Sequence, residues 1–476
     1  MLTIPFRFSK NQVFRKLACL GRGPSGLDVF FSGNYRKGYY GMSEITKKVN
    51  SKVSRRSVLK GTAAAAGAAV GTGAISGFPT IWAQEKIVLR SVGSGVSHIE
   101  PWQKQAEKDL GIKVEMTALG FDGIQNRILT QPKSFDIAEP AGNQMRRIWG
   151  SPAAKLQPIE IKKLKYWDEC IGMYKSSMKT WSDAKIGDGQ HPAKVLYNPG
   201  KKKANKFTKA GGSDYLTFMP TVHNADTLGY RRDLVGYEID TWAEMLNPKW
   251  KGKVCLQAFP DICMMDLAMA IEAKGMIKYG NKGNMTKDEI DKTFVILNDL
   301  KKQGHFRAFW TTFMESVNFM TNGEAVIQSM WSPAVTLVQT QGIDVVYADL
   351  KEGYRGWTIG NVLAGHLKGK KLDAAYELLN WQWAGFPGAL FGRQGYYAPT
   401  PERTKKFMSA DEYAYWIDGK PTKDGITSPF GGPLAKPGAV RDGGSYKNRM
   451  GNIAVWNSEY DEFAYLVKKW SAFQAA

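Results

Sequence analysis

The sequence has few of the residues from which catalytic and metal centres are built. Its 476 residues include only four Cys and five His, and no two histidines have the spacing of a metal-binding pair. The motifs C-x-x-C, H-E-x-x-H, G-x-S-x-G and G-x-x-x-x-G-K-[ST] do not occur. The sequence therefore lacks the local signatures of redox and zinc sites, zinc proteases, serine hydrolases and P-loop proteins. We therefore expect neither an enzyme nor a bound cofactor.

Cysteine is scarce enough to limit disulfide bonding. Beyond residue 83 the chain contains Cys170, Cys255 and Cys263. An odd number outside the cytoplasm implies a free thiol or an intermolecular bond. Cys255 and Cys263 could form a disulfide, but both lie in apolar surroundings, so two buried free thiols are an equal alternative.

Acidic residues are nearly missing from the first part of the chain. Residues 1–84 contain 13 of the 65 Lys and Arg residues but only two of the 44 Asp and Glu residues, so they carry +11 of the net charge of +21. The remaining +10 is spread over residues 85–476. Such a scattered excess gives no support for a nucleic-acid partner.

The same part of the chain has the layout of an export signal. A basic region at 47–60 contains Arg55-Arg56, and the uncharged, Ala- and Gly-rich run Gly61–Gly77 follows it. This order predicts a secretory signal, and the arginine pair predicts the twin-arginine type. The apolar run of 17 residues is shorter than the about 20 that a membrane span needs.

The expected boundaries follow from that layout. We predict the twin-arginine signal at residues 42–83, with cleavage after Ala83. Residues 1–41 precede Met42 and are expected to be an upstream extension that is not translated.

Strand-like and helix-like patterns alternate in the mature chain. Lys86–Val92 reads as a strand, Pro101–Leu110 as a helix and Ile112–Ala118 as a second strand. This alternation predicts an α/β protein with a mainly parallel sheet covered by helices. Because parallel sheets bind ligands beyond the carboxyl ends of their strands, we predict binding loops at Gly93–His98 and Pro140–Asn143.

Four segments farther along the chain carry a family resemblance. They are Thr241–Val254 (TWAEMLNPKWKGKV), Asn322–Ala325 (NGEA), Gly342–Tyr347 (GIDVVY) with Gly356-Trp357, and Gly395–Pro401 (GYYAPTP). In this order they resemble the periplasmic solute-binding proteins of ABC importers, nearest to the spermidine/putrescine-binding group. The likeness covers the chain from Lys86 to Lys406.

The resemblance implies a type II periplasmic-binding-protein fold. In this α/β fold two lobes, each a mainly parallel sheet flanked by helices, enclose a ligand cleft and close by hinge motion. The first lobe is expected at 84–222 with about 333–360, and the second at 223–332 with about 361–476. The chain is expected to cross between the lobes near Phe218–Asn224 and Gln328–Ala334.

The resemblance and the predicted binding loops together suggest a set of ligand-binding residues. Trp331 and Trp357 correspond to the family's cleft aromatics, whose ring faces attract amines. The full candidate set is Ser94, Gly95, His98, Gly142, Asn143, His223, Asn224, Asp226, Asp261, Trp310, Glu315, Trp331, Ser332, Arg355 and Trp357. No residue is expected to bind a metal in this interpretation.

The chemistry of the ligand stays open at this point. Of the family's acid-rich loop after the strand at 253–256, only Asp261 is matched, and the loop Gly93–His98 lacks the family's aromatic–acid pair. A smaller amine, an amino acid or an organic acid therefore competes with a di- or triamine. An anion would use the backbone N–H groups of Gly93–Ser97, helped by His223, Ser332 and Arg355.

Two alternatives accompany this interpretation. The adjacent Tyr396-Tyr397 are hard donors suited to ferric iron, as in iron-binding relatives of the same fold. An exported hydrolase is less favoured, because it would lack any local signature. We predict a periplasmic, monomeric binding protein that captures a small polar organic solute and delivers it to a membrane permease and ATPase, with no nucleic-acid partner.

Overall fold

The computed structural model describes residues 87–175, 187–428 and 431–476. The predicted signal at 42–83 and the upstream segment 1–41 lie outside these residues. The strands are β1 Val88–Gly93, β2 Lys113–Ala118, β3 Ile137–Ala138, β4 Leu156–Gln157, β5 Ile159–Glu160, β6 Asp188–Gly189, β7 Tyr215–Leu216, β8 Met219–Arg231, β9 Val254–Gln257, β10 Phe306–Trp310, β11 Ile327–Met330, β12 Val345–Tyr347, β13 Tyr354–Ala364, β14 Ile426–Thr427, β15 Pro433–Ala435 and β16 Ile453–Trp456.

Helices separate most of these strands. The α-helices are Glu100–Leu110, Phe121–Thr130, Met145–Gly150, Arg232–Val235, Pro260–Ala273, Lys287–Lys302, Phe313–Thr321, Ser332–Gln339, Gly369–Gln382, Phe386–Gly392, Pro401–Lys405, Ala410–Trp416, Tyr446–Gly451 and Phe463–Ala475. Short 3₁₀ turns supply much of the connecting chain, for example Gly142–Gln144 and Trp242–Leu246. No described helix is long and apolar enough to cross a membrane.

Local sequence signals determine where several helices begin. Thr286 accepts from the Glu289 backbone N–H while the Glu289 carboxylate accepts from the Thr286 backbone N–H, a reciprocal capping box. Thr312 and Glu315 form the same arrangement at the next helix. The helix Pro260–Ala273 instead has Pro in its first turn, where the missing N–H costs nothing.

One half of the main sheet is built around β1. This strand pairs in parallel with β2 and β3, and β3 pairs antiparallel with β13. Because β1 and β3 are parallel, the loops that follow Gly93 and Ala138 emerge at the same edge. The predicted binding loops are therefore neighbours in space.

The other half is built around β9. This strand pairs in parallel with β10 and β11, while β11 and β12 pair antiparallel with β8. The sheet as a whole is therefore mixed. The alternation of strands and helices had predicted a mainly parallel sheet. The difference arises because β8 runs antiparallel to β11, β12 and β13, and β13 also runs antiparallel to β3 and β4 while it pairs in parallel with β16.

The two long strands β8 and β13 connect the two halves. Thr227–Tyr230 of β8 pair with β11, whereas Met219–Asp226 pair with β13. The segment Phe218–Asn224, where a crossing is expected, lies at the start of β8. The segment Gln328–Ala334, where the other crossing is expected, forms β11 and the start of the helix Ser332–Gln339. Both crossings stay predictions.

Buried apolar side chains form a first core, a second core and a third cluster. The first core draws on Leu89–Ala225 and Tyr354–Trp456. The second core draws on Leu228–Leu350 and Val455–Phe473, and the smaller third cluster contains residues such as Trp310, Met330 and Val338.

This packing divides the chain differently from the expected lobe boundaries, which themselves stay a prediction. Leu378, Trp416 and Tyr446, expected in the second lobe, lie in the first core. Val335 and Val338, expected in the first lobe, lie in the third cluster. The packing follows the position of β13, which begins only at Tyr354.

The cysteines beyond residue 83 form no disulfide. Cys170, Cys255 and Cys263 are free and buried. Burial raises the pKa of the Cys255 thiol to about 12, and it also raises that of Cys263. Of the two alternatives left open by the sequence, buried free thiols are the one observed.

Candidate ligand-binding site

The polar residues of β8 and β13 gather on one face of the two-strand ribbon. Asn224 lies directly opposite Trp357, and Asp226 lies directly opposite Arg355. Because side chains alternate along a strand and opposite pairs share a face, all four project to the same side. We call these four residues the ribbon face.

Second-core side chains contact the ribbon face at its Arg355 end. The Arg355 guanidinium, 1% exposed, donates from Nε to Asp266 Oδ1 at 2.7 Å and from Nη1 to Asn457 Oδ1 at 2.8 Å. Its Nη2 lies 3.3 Å from Asp226 Oδ2, and Tyr347 donates to Asp226 Oδ1 at 3.1 Å. The ribbon face therefore lies at the boundary between the two cores.

The charges in this network compensate each other. Burial raises the pKa of Asp226 and of Asp266, and the Arg355 charge opposes both rises. Breaking a buried pair by removing one partner leaves an uncompensated charge. The predicted role of Arg355 as a ligand for an anion would require it to leave two internal carboxylates.

The Asn224 end of the ribbon face is different. Asn224 is fully buried, yet neither its amide nitrogen nor its amide oxygen has a hydrogen-bond partner among the described residues. An unsatisfied buried amide costs about 1–3 kcal/mol. The opposite Trp357 packs edge-on against Tyr396, with ring centroids 5.5 Å apart. Its indole N–H is directed toward the Asp226 carboxyl group, whose pKa it lowers.

The loop after β1 surrounds a buried carboxyl group. Ser97 and Thr221 both donate to Glu139, and His98 Nδ1 lies 3.7 Å from Glu139 Oε2. Burial raises the pKa of Glu139 to about 7, although the two hydroxyl donors oppose the rise. Burial also lowers the pKa of His98 to about 3, so this imidazole is neutral. We call these four residues the Glu139 cluster.

The predicted residues of the first loop differ in exposure. Ser94 and His98 are buried, whereas Gly95 is exposed. The His98 ring lies beneath Gly93, and its Nε2 is 2.8 Å from Ser91 Oγ. Its Nδ1 is 3.0 Å from Ser97 Oγ, so both ring nitrogens have partners in this segment.

One hydrogen bond joins the second predicted loop to the second core. Asn143 Nδ2 donates to Asp261 Oδ2 at 3.1 Å, and Asp261 lies in the first turn of the helix that follows β9. Gln190 donates to the Gly142 carbonyl at 2.8 Å, while its own amide oxygen has no partner among residues with described positions. Burial, with the nearby carboxylates Asp122 and Glu459, raises the pKa of Asp261 to about 7.

Aromatic side chains lie on the opposite side of this boundary. Trp310 is buried and Trp331 is half-buried, and their rings meet edge-on at 5.2 Å. Ser332 begins the next helix and lies against Gly395, whose φ of 87° and lack of a side chain allow the approach. This contact places the turn that holds Tyr396 beside the third cluster.

Two predicted residues lie away from this group. His223 projects from the other face of the ribbon, where Nε2 lies 3.1 Å from the Tyr446 hydroxyl. Glu315 is exposed, and its carboxylate accepts from the Thr311 and Thr312 backbone N–H groups as a helix cap. The structure thus brings together Asn143, Asp261, Asn224, Asp226 and Trp357 but not these two.

A family profile matches the part of the chain that contains most residues of this site. The profile of the bacterial extracellular solute-binding proteins matches residues 102–385, more than half of the chain. This chain belongs to that family. The family binds solutes and is non-enzymatic. No curated protein sequence matches the chain.

Solved structures show the same fold at low identity. A putative spermidine/putrescine ABC transporter protein from Listeria monocytogenes has a TM-score of 0.57 and 14% identity, over 81% of this chain and 98% of its own. The spermidine/putrescine-binding protein PotD from Streptococcus pneumoniae has a TM-score of 0.55 and 12% identity, over 82% and 100%. The Atu4243 GABA receptor has a TM-score of 0.52 and 14% identity, over 82% and 98%. These matches establish the α/β periplasmic-binding-protein fold.

Several residues of this solute-binding protein's candidate site were not predicted from the sequence. Asp266, Asn457 and Gln190 come from a helix interior, the end of β16 and a loop. None belongs to a motif, and each reaches the boundary only through the packing of distant segments. Tyr396 was noted, but as a possible iron ligand.

The structure does not favour iron at the tyrosine pair. Burial raises the pKa of the Tyr396 phenol, which opposes the phenolate that ferric iron needs. The Tyr397 hydroxyl accepts from Arg441 at 2.8 Å. Within the described ranges, no group of three or more His, Cys, Asp or Glu side chains is arranged to hold a metal ion.

Proposed function

We propose that this protein is the substrate-binding component of an ABC importer. It captures a small polar organic solute, such as an amine, an amino acid or an organic acid, and delivers it to membrane permease and ATPase subunits. The observation that carries the proposal is the group of polar side chains, some without partners, at the boundary of two cores joined by two long strands. Membership of the solute-binding family supports it.

The proposed mechanism is that of a type II binding protein. β8 and β13 act as the hinge between two lobes, and the boundary between the cores opens into a cleft. Solute binding favours the closed state, because only there do both lobes contact the solute. The bond between Asn143 and Asp261 is a direct link that would form on closure.

We further propose export to the periplasm by the twin-arginine route. Support comes from Arg55-Arg56 and the uncharged run that follows, together with the extracellular family of the chain. In this proposal the protein acts as a monomer and interacts with the importer subunits after it has bound solute.

The arrangement of carboxylates favours a solute with few amines. Asp226 and Asp266 are already paired with Arg355. Of the two carboxylates near Asp261, Asp122 is exposed and Glu459 is paired with Arg147, so Asp261 is the candidate carboxylate that keeps capacity to receive an ammonium. Related structures include a spermidine/putrescine-binding protein and a GABA receptor. A solute with one amine, such as an amino acid, fits a single such carboxylate better than a triamine does.

A thermal-shift screen of the purified protein tests this proposal. The panel contains amines, amino acids, organic acids and ferric iron. A ligand present at 1,000 times its Kd stabilises the native state by about 4 kcal/mol. We expect at least one organic solute to raise Tm and Asp261→Asn to reduce the response to amines. The absence of any shift, together with catalytic turnover of an ester or phosphate, would contradict the proposal.

A further inference from the structure

Asn224 is a polar side chain at the boundary whose amide forms no hydrogen bond with the residues that the structure describes. It is 0% exposed, and both atoms of its amide lack partners among the residues described. Buried polar groups in native proteins are nearly always hydrogen-bonded, so an orphaned amide at a binding boundary indicates a missing partner. The neighbouring indole N–H of Trp357 differs, because it lies near the Asp226 carboxyl group and lowers its pKa.

The direction of the Asn224 side chain follows from its strand. It shares the ribbon face with Asp226 and Arg355, both of which contact side chains of the second core and its flanking segments. Across the strand pair it lies opposite Trp357, whose ring contacts Tyr396. Gly395, which precedes Tyr396 in the same loop, lies against Ser332. Asn224 is therefore directed at the boundary from one side, with aromatic rings beside it.

The charges around Asn224 compensate each other within the protein. The neighbouring carboxylate is Asp226, and Arg355 lies 3.3 Å from it and 2.7 Å from Asp266. Arg449, which is also buried, places a second positive charge near Asp226 and lowers its pKa. A ligand group that carries a net charge would have to be desolvated here without a free partner of opposite charge.

An asparagine amide offers a donor and an acceptor side by side. A complementary group must present an acceptor and a donor on neighbouring atoms, as a carboxamide or a ureido group does. A carboxylate offers acceptors only and would leave the Asn224 oxygen unpaired beside Asp226. An ammonium offers donors only and would leave the Asn224 N–H groups unpaired.

We infer that the solute of this protein carries an uncharged carboxamide or ureido group, which pairs with the Asn224 amide beside the Trp357 ring. The inference rests on the proposed function, since it names the chemical class of solute for the same site. It adds specificity, because a site built to hydrogen-bond a group rejects analogues that lack it.

Isothermal titration of the full protein with matched ligand pairs tests the inference. The pairs are glutamine and glutamate, asparagine and aspartate, and citrulline and ornithine. We expect the carboxamide or ureido member of at least one pair to bind more than about tenfold tighter than its partner, since two hydrogen bonds distinguish them. Equal or tighter binding of the charged member in every pair would overturn the inference.

Variants at Asn224 localise the effect. Asn224→Leu keeps the size of the side chain and removes both hydrogen-bonding atoms, so we expect the preference within the pair to be lost. Asn126→Leu, at an exposed position of the helix Phe121–Thr130, is the matched control and should keep the preference. An unchanged preference in a folded Asn224→Leu variant would also overturn the inference.

The outcomes separate the inference from the proposed function. Binding of putrescine, spermidine or a carboxylic acid with no binding of any amide or ureido compound refutes the inference and leaves the binding function standing. No heat and no Tm shift with any solute of either panel refutes both. Should Asn224→Leu fail to fold, the pair comparison on the unmodified protein still decides the inference.

Discussion

Two buried carboxyl groups near the ends of the β8–β13 ribbon have different partners. Asp266 is bonded to the Arg355 guanidinium, which also contacts Asp226. Glu139, at the other end, is bonded to the hydroxyl groups of Ser97 and Thr221 and lies beside a neutral His98. Burial raises the pKa of Asp266, Asp226 and Glu139, but only Asp266 and Asp226 have a cation that opposes the rise.

The difference separates charge pairing from hydrogen bonding as means of burying an acid. At Arg355 the native state needs both the cation and the carboxylates, because losing either leaves a bare charge. In the Glu139 cluster, the carboxyl group can lose its charge by taking up a proton. We therefore expect the first site to respond strongly to mutation and the second to respond to pH.

The largest effect is expected for Arg355→Met. Removing the guanidinium leaves Asp226 and Asp266 buried with their main cation lost, which should cost about 3–5 kcal/mol of unfolding free energy. Urea denaturation followed by circular dichroism measures it. A loss below about 1 kcal/mol would show that the carboxylates are protonated or hydrated in the native protein.

A pH-dependent effect is expected for Glu139→Gln. The pKa of Glu139 is raised from 4.5 to about 7, so the native state binds this proton more tightly than the unfolded state does. Its contribution to stability is full below pH 4.5 and is lost as the pH rises through 7. The variant should therefore gain about 3 kcal/mol relative to the unmodified protein between pH 4.5 and pH 8.5.

Histidines oppose that trend in the unmodified protein. Burial lowers the pKa of His98, His191 and His223 to about 3, so their contribution to stability is lost as the pH falls below 6.5. The difference in Tm between the variant and the unmodified protein cancels this shared part. A difference that does not change with pH would mean that Glu139 does not titrate in this window.

A smaller effect is expected for Thr221→Val. The substitution keeps the shape of the side chain and removes one donor to Glu139, which should cost about 1–2 kcal/mol at high pH. Since this hydroxyl lowers the pKa of Glu139, the variant should titrate at a higher pH than the unmodified protein. Identical pH profiles for the two proteins would remove Thr221 from the cluster.

The smallest effect is expected for Arg146→Met, the surface counterpart of Arg355. Arg146 pairs with Asp461 at 2.8 Å, but both side chains are half or more exposed. Solvent-exposed pairs contribute at most about 1 kcal/mol, and salt reduces the contribution further. Denaturation in low and high salt measures it. A loss of unfolding free energy as large as that of Arg355→Met would contradict the expectation that burial makes the Arg355 pair the more costly one to break.

Much of the secondary structure could be predicted from the sequence. The predicted strand Lys86–Val92 and the predicted helix Pro101–Leu110 match β1 and the helix Glu100–Leu110 within two residues. Such segments carry their own apolar periodicity. β8 is harder to predict from its sequence, because its polar residues Asn224 and Asp226 interrupt the apolar pattern. Those side chains are buried by partners distant in the sequence, which a local pattern does not contain.

The candidate site was predicted only where a residue follows a recognisable strand. Asn143 and Asp261 lie in the first helical turns after β3 and β9, and the structure brings them within hydrogen-bond distance. Glu315 and Arg355 were expected to be available to a ligand, but each has partners in the protein. The sequence shows which groups can bind, whereas their availability depends on what else the fold brings near them.

By itself, the sequence determined the alternation of strands and helices, the absence of catalytic motifs and the resemblance to solute-binding proteins. These properties depend on residue types and short-range periodicity, which are complete in a linear chain. Only the tertiary structure decided that the Arg355 charge is internally paired, that Glu139 is buried beside hydroxyl groups, and that the Asn224 amide has no partner among the described residues. Burial and hydrogen-bond pairing depend on contacts between residues more than 80 positions apart, so no local pattern can specify them.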